Sequence, residues 1–285
     1  MTDQSRRPPA APPIDQARAE HVSTLNRAFW DELCGSVLAR SVGVTDVSAA
    51  SLARFDRAYL DFYPYLLDYL PLSEISSRRV VEIGLGYGTV GQQLLQAGAS
   101  YTGVDLALGP AAMMNYRAGL LGRPPCALRG SALSLPLAAE STDCVVAIGC
   151  FHHTGSVEQC IRETYRVLKP GGRAVVMVYN QFSYRHWLRW PVATARASFT
   201  QRRLDAGETA PAHQRKRYDV NSAGQAAPET VFLSVPQLRH LFRDFRSVDL
   251  AKENNSDLLH VIPRRPLLNV LGPRAGLDIY VRAVK

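Results

Sequence analysis

The stretch VVEIGLGYGTVG, residues 80–91, decides the fold of this chain. Its first residues are apolar and β-branched, as in a buried strand, and they run into a turn rich in glycine. The residues that follow, TVGQQLLQAG, have the pattern of a helix. Glycines let such a turn close tightly and let a ligand approach the backbone, and the helix N-terminus offers unpaired N–H groups. The stretch therefore predicts a ligand site at the carboxyl end of a buried strand.

The glycine spacing contains a misleading match. Gly86, Gly88 and Gly91 spell G-x-G-x-x-G, the fingerprint of dinucleotide sites, but the first glycine after the strand is Gly84. Glu82 lies at the carboxyl end of the strand, where its carboxylate would repel a pyrophosphate. We therefore expect a ligand that carries a cationic ammonium or sulfonium group.

A second acidic residue supports a nucleoside-containing ligand. Asp105 ends the next predicted strand, YTGVDL, 21 residues beyond Gly84. A carboxylate at this place accepts hydrogen bonds from ribose hydroxyls. Several adenosine-containing cofactors share this contact, so Asp105 predicts a ribose without selecting one cofactor.

Strands and helices alternate from residue 78 to residue 180, which predicts a parallel sheet with right-handed crossovers. The predicted strands are 78–84, 101–106, 126–129, 142–149, 173–180, 247–250 and 277–285. The predicted core helices are 89–98, one that begins near Gly109–Pro110, 157–168 and 236–245. We expect Lys169–Gly172, which contain a proline and two glycines, to end the helix 157–168 and to separate it from the strand 173–180.

Changes in the pattern of predicted helices and strands divide the chain into five segments. They are an unstructured start (1–19), a helical cap (20–72), an α/β core that holds the ligand (73–180), an insertion that covers the sheet's edge as a lid over the acceptor site (181–233), and a helix with strands that completes the core (234–285). Within the cap, apolar residues recur at spacings of three and four, which is typical of amphipathic helices.

Composition excludes several classes of partner. The formal net charge is +8, but the basic residues are scattered and no aromatic-interleaved basic stripe is present, so we expect no nucleic-acid partner. No apolar run is long enough for a membrane span, and the first residues lack the apolar core of a secretory signal. The five cysteines form no C-x-x-C pair and no cluster with histidine, which predicts free thiols in a reducing cytoplasm and no metal site. The oligomeric state stays open.

Five motifs in order carry a family resemblance. EIGLGYG (82–88) resembles the first motif of class I S-adenosylmethionine-dependent methyltransferases, and VDL (104–106) resembles their second-strand acid. Three later stretches are similar to motifs of the small-molecule, natural-product branch: GSALSLPL (130–137), DCVVAIGCFHH (143–153) and RETYRVLKPGG (162–172).

The resemblance implies a fold, a cofactor and a reaction. The fold is a doubly wound, Rossmann-like α/β sheet of seven mostly parallel strands with an antiparallel C-terminal strand and an N-terminal helical cap. The cofactor is S-adenosyl-L-methionine. The reaction is methyl transfer to an O, N or C atom of a small-molecule acceptor in specialised-metabolite biosynthesis.

The same resemblance implies the cofactor-binding residues. The glycine turn would flank the methionine part of the cofactor through Glu82, Gly84, Gly86 and Gly88. Asp105 would hold the ribose.

Four further residues complete this implied site. Leu106 would lie against the adenine, with Ser131 and Ala132 at the adenine edge. The family usually carries an acid at the position of Ser131, so a hydroxyl or a backbone group must make the adenine contact here. Gly149 would face the amino group of the cofactor.

The chemistry is expected after the fourth strand, because open α/β sheets bind their ligands at the carboxyl ends of strands. His152 and His153 lie there, and histidine is a suitable general base because its pKa is near neutral. Either histidine could instead hydrogen-bond the loop. Tyr179 and Asn180, after the fifth strand, could orient the acceptor, whereas Cys150 is read as a packed thiol.

Three other functions stay open at this point. A nicotinamide-dependent oxidoreductase shares the turn and Asp105 but leaves Glu82 unexplained. An RNA methyltransferase would show salt-dependent RNA affinity. A protein that binds S-adenosylmethionine without catalysis would show binding without turnover.

Overall fold

A computed structural model describes residues 16–33, 35–200, 207–255 and 264–285. The strands are β1 Arg79–Ile83, β2 Ser100–Asp105, β3 Ala127–Arg129, β4 Thr142–Ile148, β5 Leu168–Tyr179, β6 Ser247–Glu253 and β7 Asp278–Val284. The helices are α1 Gln16–Trp30, α2 Ser36–Ser41, α3 Ala49–Phe62, α4 Leu66–Tyr69, α5 Thr89–Gln96, α6 Leu108–Leu120, α7 Val157–Val167, α8 Tyr184–Arg189, α9 Pro191–Thr200, α10 Ala212–Arg215, α11 Val235–Leu241 and α12 Arg264–Ala275.

The seven strands form one sheet in the order β3-β2-β1-β4-β5-β7-β6. β7 runs antiparallel to both of its neighbours, and β1 to β5 pair in parallel. The predicted fold class, with its seven strands and antiparallel C-terminal strand, is confirmed.

β4 shows why the sheet is doubly wound. Its side chains alternate between two buried clusters: Val145 and Ala147 belong to one, and Cys144 and Val146 belong to the other. A strand that is apolar on both faces must be covered on both, and the helices of the crossovers provide these covers.

The strand order reverses between β1 and β4. From β1 the chain moves outward to β2 and β3, and it then returns to β4 and continues to β5 on the other side. Helices that follow these two strands therefore lie on opposite faces, and a crevice opens at the carboxyl ends of β1 and β4. Glu82, opposite Val146 in the register of these two strands, lies at this crevice.

Several element boundaries differ from the sequence-based expectations. Helix α1 begins at Gln16, so the expectation that residues 1–19 are unstructured is wrong for 16–19, and residues 1–15 lie outside the described residues. Helix α12 was not predicted. The break expected at Lys169–Gly172 lies within β5, because Gly171 donates to the carbonyl of Lys285 and Lys285 donates to that of Gly172.

The insertion at 181–233 contains short helices and contacts the sheet at the end of a central strand. The side chain of Tyr179, the last residue of β5, bonds to Asp219, and Leu233 pairs with Asn180. The described residues of the insertion thus meet the carboxyl end of β5. Its role as a lid stays a prediction.

None of the helices among the described residues has both the length and the apolar character that crossing a membrane requires.

Candidate functional site

A cleft lies at the carboxyl ends of β1, β2 and β4, with a volume of about 1060 Å³ that includes its open mouth. Nine of the eleven predicted site residues line it: Glu82, Gly84, Gly86, Asp105, Leu106, Ser131, Ala132, Gly149 and His153. Gly88 and His152 lie outside its wall. The fold therefore brings residues from four separate loops to one place.

The glycine turn needs glycine for two reasons. Gly84, Gly86 and Gly88 have φ angles of +80°, +51° and +80°, in the left-handed region that strains other residues. A Cβ on Gly84 would also lie 2.6 Å from the Cβ of Cys150. The turn after β1 is thus packed directly against the loop after β4, which leaves its backbone as the floor of the cleft.

Glu82 presents a buried carboxyl group to this floor. Only 2 % of the residue is exposed, and the Tyr101 hydroxyl donates a hydrogen bond to Oε2. Burial raises the pKa of Glu82 to about 8. No salt bridge to Glu82 occurs among the described residues. A ligand ammonium group would supply the missing positive charge.

Asp105 is held by the backbone on both sides. Oδ2 accepts from the Leu85 N–H at 2.8 Å, and Oδ1 accepts from the Ala107 N–H at 2.9 Å. Burial raises the pKa of Asp105, and these N–H groups oppose that rise. Each carboxylate oxygen keeps a second lone pair, so the fixed carboxylate can still accept from two ribose hydroxyls.

The predicted adenine side of the cleft lacks a carboxylate at position 131. The Ser131 hydroxyl accepts from the Leu133 N–H at 3.2 Å and so belongs to its own loop. Ala132 is buried, and Leu106 lines the same wall. At the other side Gly149, with a φ of +74°, lines the cleft, and its N–H donates to the carbonyl of Met177.

His153 lies in the cleft wall, in a short 3-10 turn, Phe151–His153, that follows β4. Its Nδ1 is 2.6 Å from the carbonyl oxygen of Glu229. Its Nε2 is 3.6 Å from Oδ2 of Asp219. Burial lowers the pKa of His153, and the carboxylate of Asp219 opposes this change. The imidazole is therefore neutral at physiological pH.

His152 lies behind His153 rather than beside the cleft. Its ring packs 4.1 Å from the rings of both His153 and Tyr179. The side chain is fully buried, and within the described part of the chain its ring nitrogens have no hydrogen-bond partner. Burial holds its pKa well below the usual value. The ring of His152 therefore packs against the ring of His153.

The local sequence pattern did not reveal which residues of α1 line the cleft. Ser23, Asn26 and Trp30 line the cleft, and the amide of Asn26 donates to the backbone carbonyl of His153. The Trp30 ring lies 4.8 Å from that of His153. The spacing of apolar residues in the cap predicted helices, and it did not distinguish Trp30 from the other aromatic residues there.

Two other residues have roles that the sequence did not reveal. Asp219 accepts from the Tyr179 hydroxyl at 3.0 Å, and it stands in a segment without any motif. Asn180 bonds the Gly276 carbonyl and the Phe182 N–H, so it fixes the chain after β5 and does not line the cleft. Within the described ranges, no three His, Cys, Asp or Glu side chains are grouped as ligands for a metal ion.

Comparison with known families agrees with this geometry. Residues 81–176 match a family model described as a methyltransferase domain. The matched range begins in β1, includes the glycine turn, Asp105 and the histidine loop, and ends within β5.

Curated relatives match over part of their length. The chain is 32% identical over 152 residues to the biotin biosynthesis bifunctional protein BioHC of Cellvibrio japonicus, which is 52% of this chain and 29% of that protein. It is 35% identical over 101 residues to phthiotriol/phenolphthiotriol dimycocerosates methyltransferase 1 of Mycobacterium ulcerans, which is 35% of this chain and 36% of that protein. The chain thus spans about a third of the length of these relatives.

A solved structure shows the same fold. The S-adenosylmethionine-dependent methyltransferase from Mesorhizobium loti superimposes with a TM-score of 0.52 at 19% identity. The superposition covers 78% of this chain and 97% of that one.

Proposed function

Residues 81–176 form a domain of the class I S-adenosylmethionine-dependent methyltransferases, and from this premise we propose that the protein transfers a methyl group to a small-molecule acceptor. The observation that carries the proposal is the pairing of the buried Glu82 carboxyl with the backbone-held Asp105 in one cleft. A dinucleotide would place a pyrophosphate beside Glu82, whereas the methionine part of the methyl donor places an ammonium group there.

The cofactor S-adenosyl-L-methionine fits the residues that line the cleft. In the proposal, Glu82 accepts from the ammonium group of the methionine part, and the turn from Gly84 to Gly88 gives its backbone a close approach. Asp105 accepts from the ribose hydroxyls, and Leu106 packs on the adenine. Because the Ser131 hydroxyl is engaged with Leu133, a backbone group makes the polar contact of the adenine.

The chain itself aligns the reactants and removes a proton. When bound, the cofactor supplies a methyl group on a positively charged sulfur, which a nucleophile displaces in line. The protein must hold that nucleophile opposite the sulfur and exclude water. Asn26 and Trp30 of α1 and the Gly149–Thr154 loop enclose the part of the cleft where the acceptor would lie.

His153 is the proposed general base. Its ring lies in the cleft wall and is neutral, so one of its nitrogens can accept a proton. His152, which has no place in the wall, supports the ring of His153 from behind. In this proposal the two histidines of the loop have different roles: His153 is the base, and His152 supports its ring.

The acceptor class is proposed from the lining and from the relatives. Apolar and aromatic side chains, among them Trp30, Phe55 and Tyr59, line the cleft and suit a largely apolar small molecule. The relative from Mycobacterium ulcerans is named for phthiotriol and phenolphthiotriol dimycocerosates. We place the reaction in specialised-metabolite biosynthesis in the cytoplasm, with which the free thiols of Cys126, Cys144 and Cys160 agree.

Calorimetry tests the cofactor part of the proposal. S-adenosylhomocysteine should bind with micromolar affinity, about −8 kcal/mol. Asp105→Ala should weaken this binding markedly, and Asp143→Ala, at the opposite end of the sheet, should not. Tight binding of NAD without binding of S-adenosylhomocysteine would contradict the proposal.

Labelled methyl transfer tests the reaction. Purified protein is incubated with methyl-labelled S-adenosylmethionine and the metabolites of its genomic neighbourhood. We expect label in an extractable small molecule. Label recovered in RNA, or cofactor binding without any transfer, would point to the two alternative functions instead.

A further inference from the structure

The imidazole of His153 is fixed by groups that lie outside the family-matched range. The carbonyl of Glu229 lies 2.6 Å from Nδ1, and the carboxyl group of Asp219 lies 3.6 Å from Nε2. The amide of Asn26 holds the backbone carbonyl of the same histidine. Three segments distant in sequence therefore converge on one ring.

The Glu229 contact determines which nitrogen can receive a proton. A carbonyl oxygen only accepts hydrogen bonds, so Nδ1 must carry a hydrogen and donate it. In the neutral ring the free lone pair then belongs to Nε2. This is the nitrogen that faces Asp219.

Asp219 is itself held in place. The Tyr179 hydroxyl donates to its two carboxyl oxygens at 3.0 and 3.2 Å, and 16% of the side chain is exposed. At 3.6 Å the carboxyl group and Nε2 are too far apart for a direct hydrogen bond, but they are close enough for a strong interaction between charges.

The other charged groups around this pair do not replace Asp219. Glu229 is buried and pairs with Arg18 at 3.1 Å, so its charge is compensated. Arg215 opposes a positive charge on His153. Burial raises the pKa of Asp219, and the charge of His153, the Tyr179 hydroxyl and Arg185 oppose that rise. Asp219 is thus the carboxyl group beside Nε2, and a positive charge on His153 favours its ionised form.

We propose that Asp219, held by Tyr179, is the positioning residue that stabilises the imidazolium formed when Nε2 of His153 takes the proton of an acceptor hydroxyl, so that oxygen receives the methyl group. This inference rests on the proposed methyltransferase function. A site that aligns an amine or an activated carbon needs less proton removal before attack, whereas a hydroxyl needs a base whose charged form is stabilised.

The O–H bond of the acceptor breaks, and its proton goes to Nε2 of His153. The oxygen electron pair forms the new bond to the methyl carbon, and the electron pair of the carbon–sulfur bond stays on sulfur. The imidazolium beside Asp219 later releases its proton to water.

NMR of the protein without acceptor tests the pair directly. In protein labelled with ¹⁵N-histidine, the His153 signals are assigned by their loss in His153→Gln. We expect the Nδ1–H tautomer in the neutral ring. Asp219→Asn, which keeps the shape and the bond to Tyr179, should lower the pKa of His153 by about 1–3 units, the effect of removing an opposite charge at this distance.

Asp143→Asn is the matched control, because it removes one carboxylate at the amino end of β4, far from His153. It should leave the titration of His153 unchanged. Thermal unfolding shows whether each variant is folded, and Tyr179→Phe provides a second variant, which should shift the titration in the same direction by less. A folded Asp219→Asn protein in which the His153 titration is unmoved would overturn the inference.

The identity of the methylated atom provides a second test of the proposal. With an acceptor found by labelled transfer, ¹³C-methyl chemical shifts of the product distinguish oxygen, nitrogen and carbon. We expect an O-methyl product and a fall in kcat of about tenfold or more in Asp219→Asn, with unchanged affinity for S-adenosylhomocysteine. An N- or C-methyl product overturns the inference but keeps the proposed function. Absence of transfer to any acceptor contradicts the proposed function, while the NMR result still decides the role of Asp219.

Discussion

Glu82 shows how burial prepares a single side chain for a cation. Its carboxyl group is almost wholly enclosed, and among the residues that the structure describes its hydrogen-bond partner is the Tyr101 hydroxyl. Burial penalises the charged form, so the free protein holds this group protonated up to a pH of about 8. A ligand ammonium group reverses that balance, because it favours the ionised carboxylate.

We predict that binding of S-adenosylhomocysteine expels this proton. The pKa of Glu82 in the free protein is about 8, so between pH 6 and 8 the affinity should rise by up to about tenfold per pH unit and level off above. Calorimetry in two buffers with different ionisation enthalpies measures the proton released. Glu82→Gln should bind more weakly and without this proton release; equal pH dependence in the two proteins would exclude the role assigned to Glu82.

Gly84 is a position at which only glycine fits, because a side chain would meet Cys150 and the backbone is left-handed. Ala at this position would have its Cβ 2.6 Å from that of Cys150, at a φ of +80°. Gly84→Ala should therefore destabilise the turn by about 1–3 kcal/mol and lower cofactor affinity. The control is Gly119→Ala in α6, where nothing lies within 4 Å of the added carbon, and which should stabilise by about 0.5–1 kcal/mol. Urea denaturation measures both; a tolerated Gly84→Ala would disprove the packing argument.

At the scale of elements, a buried ion pair joins the helical cap to the core. Arg117 of α6 donates to both oxygens of Asp56 of α3 at 2.8 and 2.9 Å, and its Nε donates to the carbonyl of Tyr87 in the glycine turn. Arg117 is fully buried. The cap and the turn are therefore fixed to the same guanidinium.

We predict that loss of one partner of this pair is costly. Asp56→Asn leaves a buried guanidinium without a counter-charge, which should lower the free energy of unfolding by about 3–5 kcal/mol. The same chemical change in an exposed pair, Glu74→Gln opposite Arg173, should cost less than about 1 kcal/mol. Urea unfolding compares the two variants. Similar losses in both would mean that burial does not set the strength of the Asp56 pair.

The core elements could be predicted from sequence because their signals are local. The apolar run of β4 and the glycines after β1 act through neighbours a few residues away. Glu82 and Asp105 were inferred from such local patterns, whereas Leu106, Ser131, Ala132 and Gly149 were implied by the family resemblance. Asp219 and Asn26 could not be found in this way, since their roles depend on contacts across the fold with His153. Likewise the proline and glycines at 170–172 suggested a break between the helix and the next strand, but backbone pairing with Lys285 keeps them in β5.

At the scale of the whole molecule, α1 lines the cleft and is attached to separate parts of the chain. Arg18 pairs with Glu229 near its start, and the carboxylate of Asp31, just after its end, accepts from the N–H of Gly109 at the start of α6. Asn26 and Trp30 lie between these attachments and line the cleft. Helix α1 therefore forms part of the wall around a ligand in the cleft.

We predict that S-adenosylhomocysteine slows hydrogen exchange in α1. If α1 must lift before the ligand leaves, a ligand at a hundred times its dissociation constant should slow exchange of α1 amides by up to about a hundredfold. Exchange in α7, Val157–Val167, which contributes no side chain to the cleft wall, serves as the internal reference. Mass spectrometry of exchanged peptides gives both rates. Unchanged exchange in α1 would show that the ligand enters and leaves without moving it.

The contacts of His153 also set the order in which the two halves of the site can form as the protein folds. Glu82 and Tyr101 are 19 positions apart in the chain, and Leu85 and Asp105 are 20 apart. His153 depends on Asn26, 127 positions before it, and on Glu229, 76 positions after it. Closing longer loops costs more entropy and slows the formation of contacts. A refolding chain should therefore regain its hold on the methyl donor first and acquire its proton acceptor last.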